Sequence, residues 1–192
     1  MLRSDHPGFV ADRVTGFTLV ELVVVISVVG VVLALSMPSF TAMIGNMGIR
    51  GAAESMLGGL QVARMEAVKR NENVTFAVTD VNGGAWVITS QSGAQINQKA
   101  KSETGNVVIE SDIDPIEVTF NGLGRRAVPN DANVLSLVVA RAVAEGNGGS
   151  DACQDGSADD LRVYRCMNIT IEPGGQIRMC DPQRPLGDAQ AC

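Results

Sequence analysis

Between Phe17 and Met37 the chain carries only four polar side chains, Thr18, Glu21, Ser27 and Ser36, and only Glu21 can be charged. At about 1.5 Å per residue those 21 positions make a helix about 31 Å long, close to the hydrocarbon thickness of a bilayer. The richness in Val and Ile would also suit a buried strand, but strands usually stop at about 4–8 residues, so length decides for a helix. One membrane-spanning helix is the expectation, and every other element has to be placed relative to it. Arg3 and Arg13 stand on its N-terminal side, which orients that side to the cytoplasm despite Asp5 and Asp12. The rest of the chain then faces the periplasm from the inner membrane.

Glu21 is the anomaly of the run. A carboxylate in an apolar segment costs on the order of a few kcal/mol unless it has a partner. One reading lets it reach the headgroups from near the helix end. The other comes from its surroundings, Gly16-Phe17-Thr18-Leu19-Val20-Glu21 followed by the uninterrupted apolar helix. This stretch resembles the prepilin cleavage and assembly signal of type IV pilins and type II secretion pseudopilins. The resemblance implies that a prepilin peptidase cuts after Gly16 and methylates the new N-terminal residue, Phe17. It also implies that Glu21 pairs with the N-terminal amine of a neighbouring subunit during filament assembly. Pro38 falls where many of these proteins kink the helix. A secretory signal would be cut after its apolar region. Here the implied cut precedes that region, so the helix stays on the protein as an anchor.

Composition narrows the remaining classes. With Lys+Arg 15 against Asp+Glu 21 the formal charge is −6, so no global basic field advertises nucleic acid. Trp86 and Tyr164 are single copies, too few aromatics for a single-strand stacking platform. The only histidine, His6, lies in the leader, so a processed chain has none. That removes Ser/His/Asp and Cys/His catalysis and every imidazole metal site, and no carboxylate-pair motif replaces them. Neither an enzyme nor a cofactor is expected. Cys153, Cys166, Cys180 and Cys192 form no CxxC pair, so a zinc site is not indicated, and the periplasmic setting makes disulfides the default. Three pairings are open. Cys153–Cys166 and Cys180–Cys192 are favoured because each closes a short loop.

Along the chain, residues 1–16 read as a polar leader and 17–38 as the transmembrane and assembly segment. Residues 39–72 read as an amphipathic helix and 73–192 as a periplasmic β-rich domain. In the helix, Met43, Met47, Met56, Leu57, Leu60, Ala63, Ala67 and Val68 recur mostly at steps of three and four, with Arg50, Glu54, Gln61, Arg64, Lys69 and Arg70 on other faces. The methionines are expected as core filler. Gly45, Gly48, Gly51, Gly58 and Gly59 each weaken a helix by about 1 kcal/mol, so local melting or a bend is expected. Asn71-Glu72-Asn73 ends the helix.

Strands are expected at Val74–Thr79 and Ala85–Ser90 around an Asn82-Gly83 hairpin. Further strands are expected at Asn106–Glu110 and Ile116–Phe120 about a turn at Asp112–Pro115. Val134–Ala140 is a strand, or a helix reaching Val143. Leu161–Ile171 and Gln176–Cys180 form a hairpin across Pro173-Gly174-Gly175. The fold class is α+β and pilin-like: a long N-terminal helix packed on one or two antiparallel sheets, with Trp86 against the helix.

The soluble part narrows the resemblance. Leu60-Gln61-Val62-Ala63-Arg64-Met65-Glu66-Ala67-Val68-Lys69-Arg70, the Trp86 strand, the Phe120–Gly124 turn and Gly175-Gln176-Ile177-Arg178-Met179-Cys180-Asp181 are similar to the GspH/FimT family of minor pilins and pseudopilins. The closing Arg178-Met179-Cys180-Asp181 element resembles FimT-like pilins of the type IV pilus more than secretion pseudopilins. In that branch a Gly-Arg-x-Arg motif implies contact with double-stranded DNA. Gly175 and Arg178 match it, while Gln176 replaces the first arginine. Arg125, Arg126, Arg162, Arg165 and Arg184 compensate if the fold gathers them near Arg178. Ordinary solvated arginines on an acidic protein are the competing reading. Asp151, Asp155, Asp159 and Asp160 cluster in a polar loop over 145–160, without EF-hand spacing, and read as a solvated face rather than a calcium site.

Overall fold

The computed structural model describes residues 17–101, 107–141, 165–185 and 187–192, with the side chains at 36–39 and 41–42 outside that description. The chain divides into two units, Met1–Met37 and Pro38–Cys192. One helix, α1, runs over Leu19–Arg70 without a break. The melting expected at the glycines of residues 45–59 is therefore not observed.

In the first unit, Thr18 caps α1 by accepting the Glu21 backbone N–H at its Oγ1 (3.2 Å). Every side chain from Leu19 to Leu35 is exposed. The Ser27 hydroxyl donates to the Val23 carbonyl at 2.7 Å, so this polar group is satisfied by the helix itself. Among the described residues no helix is long and apolar enough to cross a membrane.

In the second unit, α1 buries Ile49, Ala53, Met56, Leu60, Ala63 and Ala67. Their steps of four and three keep them on one face. Met56 fills the core as expected. Met43, Met47 and Val68 do not: they are exposed, because the face that meets the sheets is set by Ile49 and Ala53. The helix closes in a Schellman motif, with Asn71 at φ 52° and the N–H groups of Asn71 and Glu72 donating to the Val68 and Ala67 carbonyls, 3.3 Å each.

Two antiparallel sheets follow. The strands are β1 (Val74–Asp80), β2 (Ala85–Ser90), β3 (Gln95–Lys99), β4 (Val107–Ser111), β5 (Glu117–Phe120), β6 (Arg126–Val128), β7 (Leu135–Arg141), β8 (Met167–Ile171) and β9 (Ile177–Cys180). They order as β3-β2-β1-β5-β6 and β4-β7-β8-β9. The Asn82-Gly83 hairpin joins β1 to β2 as expected. The Asp112–Pro115 turn instead carries the chain from the four-stranded sheet to the five-stranded one. β7 settles the strand-or-helix alternative at 134–143 in favour of a strand. β8 starts at Met167, later than expected, and the expected residues 161–164 lie outside the described residues. β3 and β6 were not expected.

The core joins both sheets to α1, with Phe76, Phe120, Ile88, Leu137, Val139, Ile169 and Ile171 fully enclosed. Trp86 packs on the helix as expected. Its Nε1–H donates to the Ser55 hydroxyl at 3.3 Å, and its ring lies 5.4 Å from Phe76, centroid to centroid. Gly59 explains how they fit. A Cβ there would stand 2.8 Å from Phe76 Cε2 and 3.0 Å from Trp86 Cζ2, so this glycine lets the rings reach the helix backbone.

Candidate functional site

The processing and assembly residues lie at the start of α1. Phe17 is 81% exposed and immediately precedes the capping Thr18. Glu21 occupies the third position of the helix, on its first turn, where partial positive charge from unpaired N–H groups favours a carboxylate. Thr18-x-x-Glu21 therefore has capping-box spacing. Gly16 lies outside the described residues. Pro38 lies within α1.

The second candidate surface forms where two turns meet. The Asn121 side chain organises the β5–β6 turn, its Oδ1 accepting from Leu123 and Arg125 N–H at 3.0 and 3.1 Å. The β8–β9 turn is closed by Gly175 N–H donating to the Glu172 carbonyl at 2.8 Å. Gly175 has φ +83°, and a Cβ on it would stand 1.9 Å from the Gly124 carbonyl oxygen and 3.3 Å from Arg125 Cα. Only glycine suits both that conformation and that contact. The same Gly124 oxygen accepts from Arg64 Nε at 3.0 Å, which brings α1 to the junction.

This junction treats the expected arginines unequally. Arg125 and Arg178 are exposed, as is Gln176, and neither arginine has an acidic partner among the described residues. Arg126 was expected beside them as a DNA contact, and the structure places it inside. It is buried, donating from Nη1 to the Ile171 carbonyl (3.2 Å) and from Nη2 to the Asn133 carbonyl (2.6 Å), with Asp131 as its ion-pair partner. It ties β6 of one sheet to β8 of the other and presents no charge to a ligand. Arg165 and Arg184 do not join the surface as free cations either. Both converge on buried Asp181, at 3.2 and 3.6 Å, and Arg184 also bonds Asp188 at 2.8 Å. Arg162 lies outside the described residues. Arg64, known from sequence only as part of the helix end, was missed as a member of the junction.

Cys180 and Cys192 form the disulfide expected of them, with Cα atoms 5.0 Å apart. Asp181 N–H donates to the Gln190 carbonyl at 2.8 Å, so the closed loop is also held by its backbone. The pKa of Asp188 is lowered from its ordinary value because the Gln190 N–H and then the Arg184 guanidinium stabilise its charge. Cys166 is buried and disulfide-bonded. Cys153, its expected partner, and the acidic positions of the 145–160 loop lie outside the described residues. Among the described residues no cluster of His, Cys, Asp or Glu could hold a metal.

A family model described as type II transport protein GspH matches residues 52–175, well over half of the chain. The chain belongs to the GspH family. A second model, the prokaryotic N-terminal methylation motif, matches residues 12–37. The crystal structure of the type IV minor pilin FimU of Pseudomonas aeruginosa (strain PAO1) is similar at 20% identity and TM-score 0.50, covering 70% of this chain and 92% of that one. The minor pseudopilin EpsH of the Vibrio cholerae type 2 secretion system is similar at 12% identity and TM-score 0.48, covering 71% and 99%. No curated protein matches.

The fold of this GspH-family chain is thus pilin-like, an N-terminal helix followed by antiparallel sheets. Membership together with the methylation motif implies N-terminal processing and assembly with other pilin or pseudopilin subunits. The GspH match ends at Gly175. Gln176, Arg178 and the Cys180–Cys192 loop therefore lie beyond it.

Proposed function

We propose that the chain is a minor pilin of a type IV pilus, anchored in the inner membrane by the N-terminal part of α1 with its C-terminal domain in the periplasm. Prepilin peptidase cuts after Gly16 and methylates Phe17, and the subunit then joins other pilins. The observation that carries this reading is Glu21 on the first turn of α1, ahead of side chains that are exposed throughout Leu19–Leu35. A run of exposed apolar side chains suits lipid first and neighbouring helices after assembly, and Glu21 then needs a cation that a neighbour's processed N-terminus supplies.

Replacing Glu21 by Ala should leave membrane insertion intact and abolish recovery of the subunit in sheared filaments. Normal recovery would sink the pairing role of Glu21. A GspH-like minor pseudopilin of a type II secretion system is the alternative, and the family's description favours it. The Arg178–Asp181 element favours the pilus. Deletion of the gene should abolish piliation in the first case and protein secretion in the second. A further reading, double-stranded DNA binding during uptake, rests on Gly175, Gln176 and Arg178.

A further inference from the structure

We infer that Arg125 takes the place of the arginine missing at Gln176, so that the duplex-DNA contact is built from two turns rather than one. This rests on the DNA reading above. The argument is spatial. Gly175 is held against the Gly124 carbonyl and the Arg125 Cα, and the Arg126 N–H donates to the Pro173 carbonyl at 3.2 Å. Arg125 is therefore fixed beside the residue that precedes Gln176, although 50 positions separate them in sequence. Gln176 and Arg178, two positions apart on extended chain, share a face and are exposed. Arg64 reaches the same junction through Gly124. Exposed Arg64 of α1 and Arg125 of the β5–β6 turn thus meet at this junction, Arg178 follows on β9 after Gly175 and Gln176, and Arg125 and Arg178 have no acid partner among the described residues.

Buried Arg126 acts here as a positioning residue. Its guanidinium bonds the Ile171 carbonyl on β8 while its backbone bonds the turn that follows, so it holds the two turns together. Gly175 has the complementary role, since any side chain would push the turns apart. The ligand class follows from the donors. Exposed guanidinium groups suit the phosphates of a nucleic-acid backbone, and phosphate contacts read no bases.

The test is fluorescence anisotropy of the full-length protein in detergent with a labelled DNA duplex, over a series of salt concentrations. Arg125→Ala should weaken binding roughly five- to ten-fold at about 0.1 M salt and lower the salt slope by about one unit. Gln176→Arg added to that variant should restore both. Arg50→Ala removes the same charge elsewhere on α1 and should change neither. If Arg178→Ala weakens binding and Arg125→Ala does not, the two-turn site is wrong while the DNA reading stands. An equal loss in Arg50→Ala would replace the site by a diffuse charge effect and overturn it. If the unmodified protein does not bind at low salt, the DNA reading itself fails. Unchanged circular dichroism in each variant separates these outcomes from misfolding.

Discussion

Leu19–Leu35 and Ile49–Ala67 belong to one helix and are both rich in apolar residues, yet they solve opposite problems. The first shows every side chain to its surroundings, while the second buries one narrow face at steps of three and four and leaves Glu54, Gln61 and Arg64 outside. Hydrophobicity alone therefore does not say where a side chain goes. Its angular distribution does: a helix apolar all round is built for an apolar medium or for other helices, and a striped one for a single packed partner.

The sharpest way to break that contrast is to truncate one residue of each kind. Leu60→Ala, in the enclosed face, should lower unfolding stability by roughly 3–5 kcal/mol in a denaturant titration of the detergent-solubilised protein. Cys192→Ser should cost less, about 2–3 kcal/mol, because the short loop it opens is held by backbone bonds as well as by the disulfide. A smaller effect belongs to Asp188. Its folded-state pKa is depressed, so its contribution to stability is complete above the ordinary carboxylate value and is lost as pH falls through the folded value, below about 4. Asp188→Asn should flatten the acid limb of a stability–pH profile over that window and leave neutral pH nearly unchanged. Smallest is Val25→Ala, which should move the unfolding midpoint of the C-terminal unit by under about 0.5 kcal/mol. A loss there comparable to that of Leu60→Ala would show that the exposed half is packed after all.

Much of this was legible in the chain. β2 falls on Ala85–Ser90 as expected because the β-branched run Val87-Ile88-Thr89 lies between an Asn-Gly turn and a polar stop. Trp86 against α1 followed from its size. The helix stripe was legible only in period: Met43 and Met47 fit the same steps as Ile49 and Ala53, and a period does not say which stripe meets the sheet. β3, with sequence Gln-Ile-Asn-Gln-Lys, is a polar edge strand with no apolar alternation to betray it. β6 is three residues long, too short for any pattern, and that hid the difference between Arg125 and Arg126. Arg125 ends the turn and is exposed, while Arg126 opens the strand and is enclosed. The junction of Gly124 with Gly175 is a contact between distant turns, and no local signal announces it.

Trp86 is the chain's single tryptophan, and it sits where α1 meets the sheet, hydrogen-bonded to Ser55 and resting on Gly59. The molecule therefore carries its own optical gauge. Emission from that indole reports the seam between helix and sheet without a label. A shift to longer wavelength would time the moment the seam opens, during unfolding or when the subunit enters a filament.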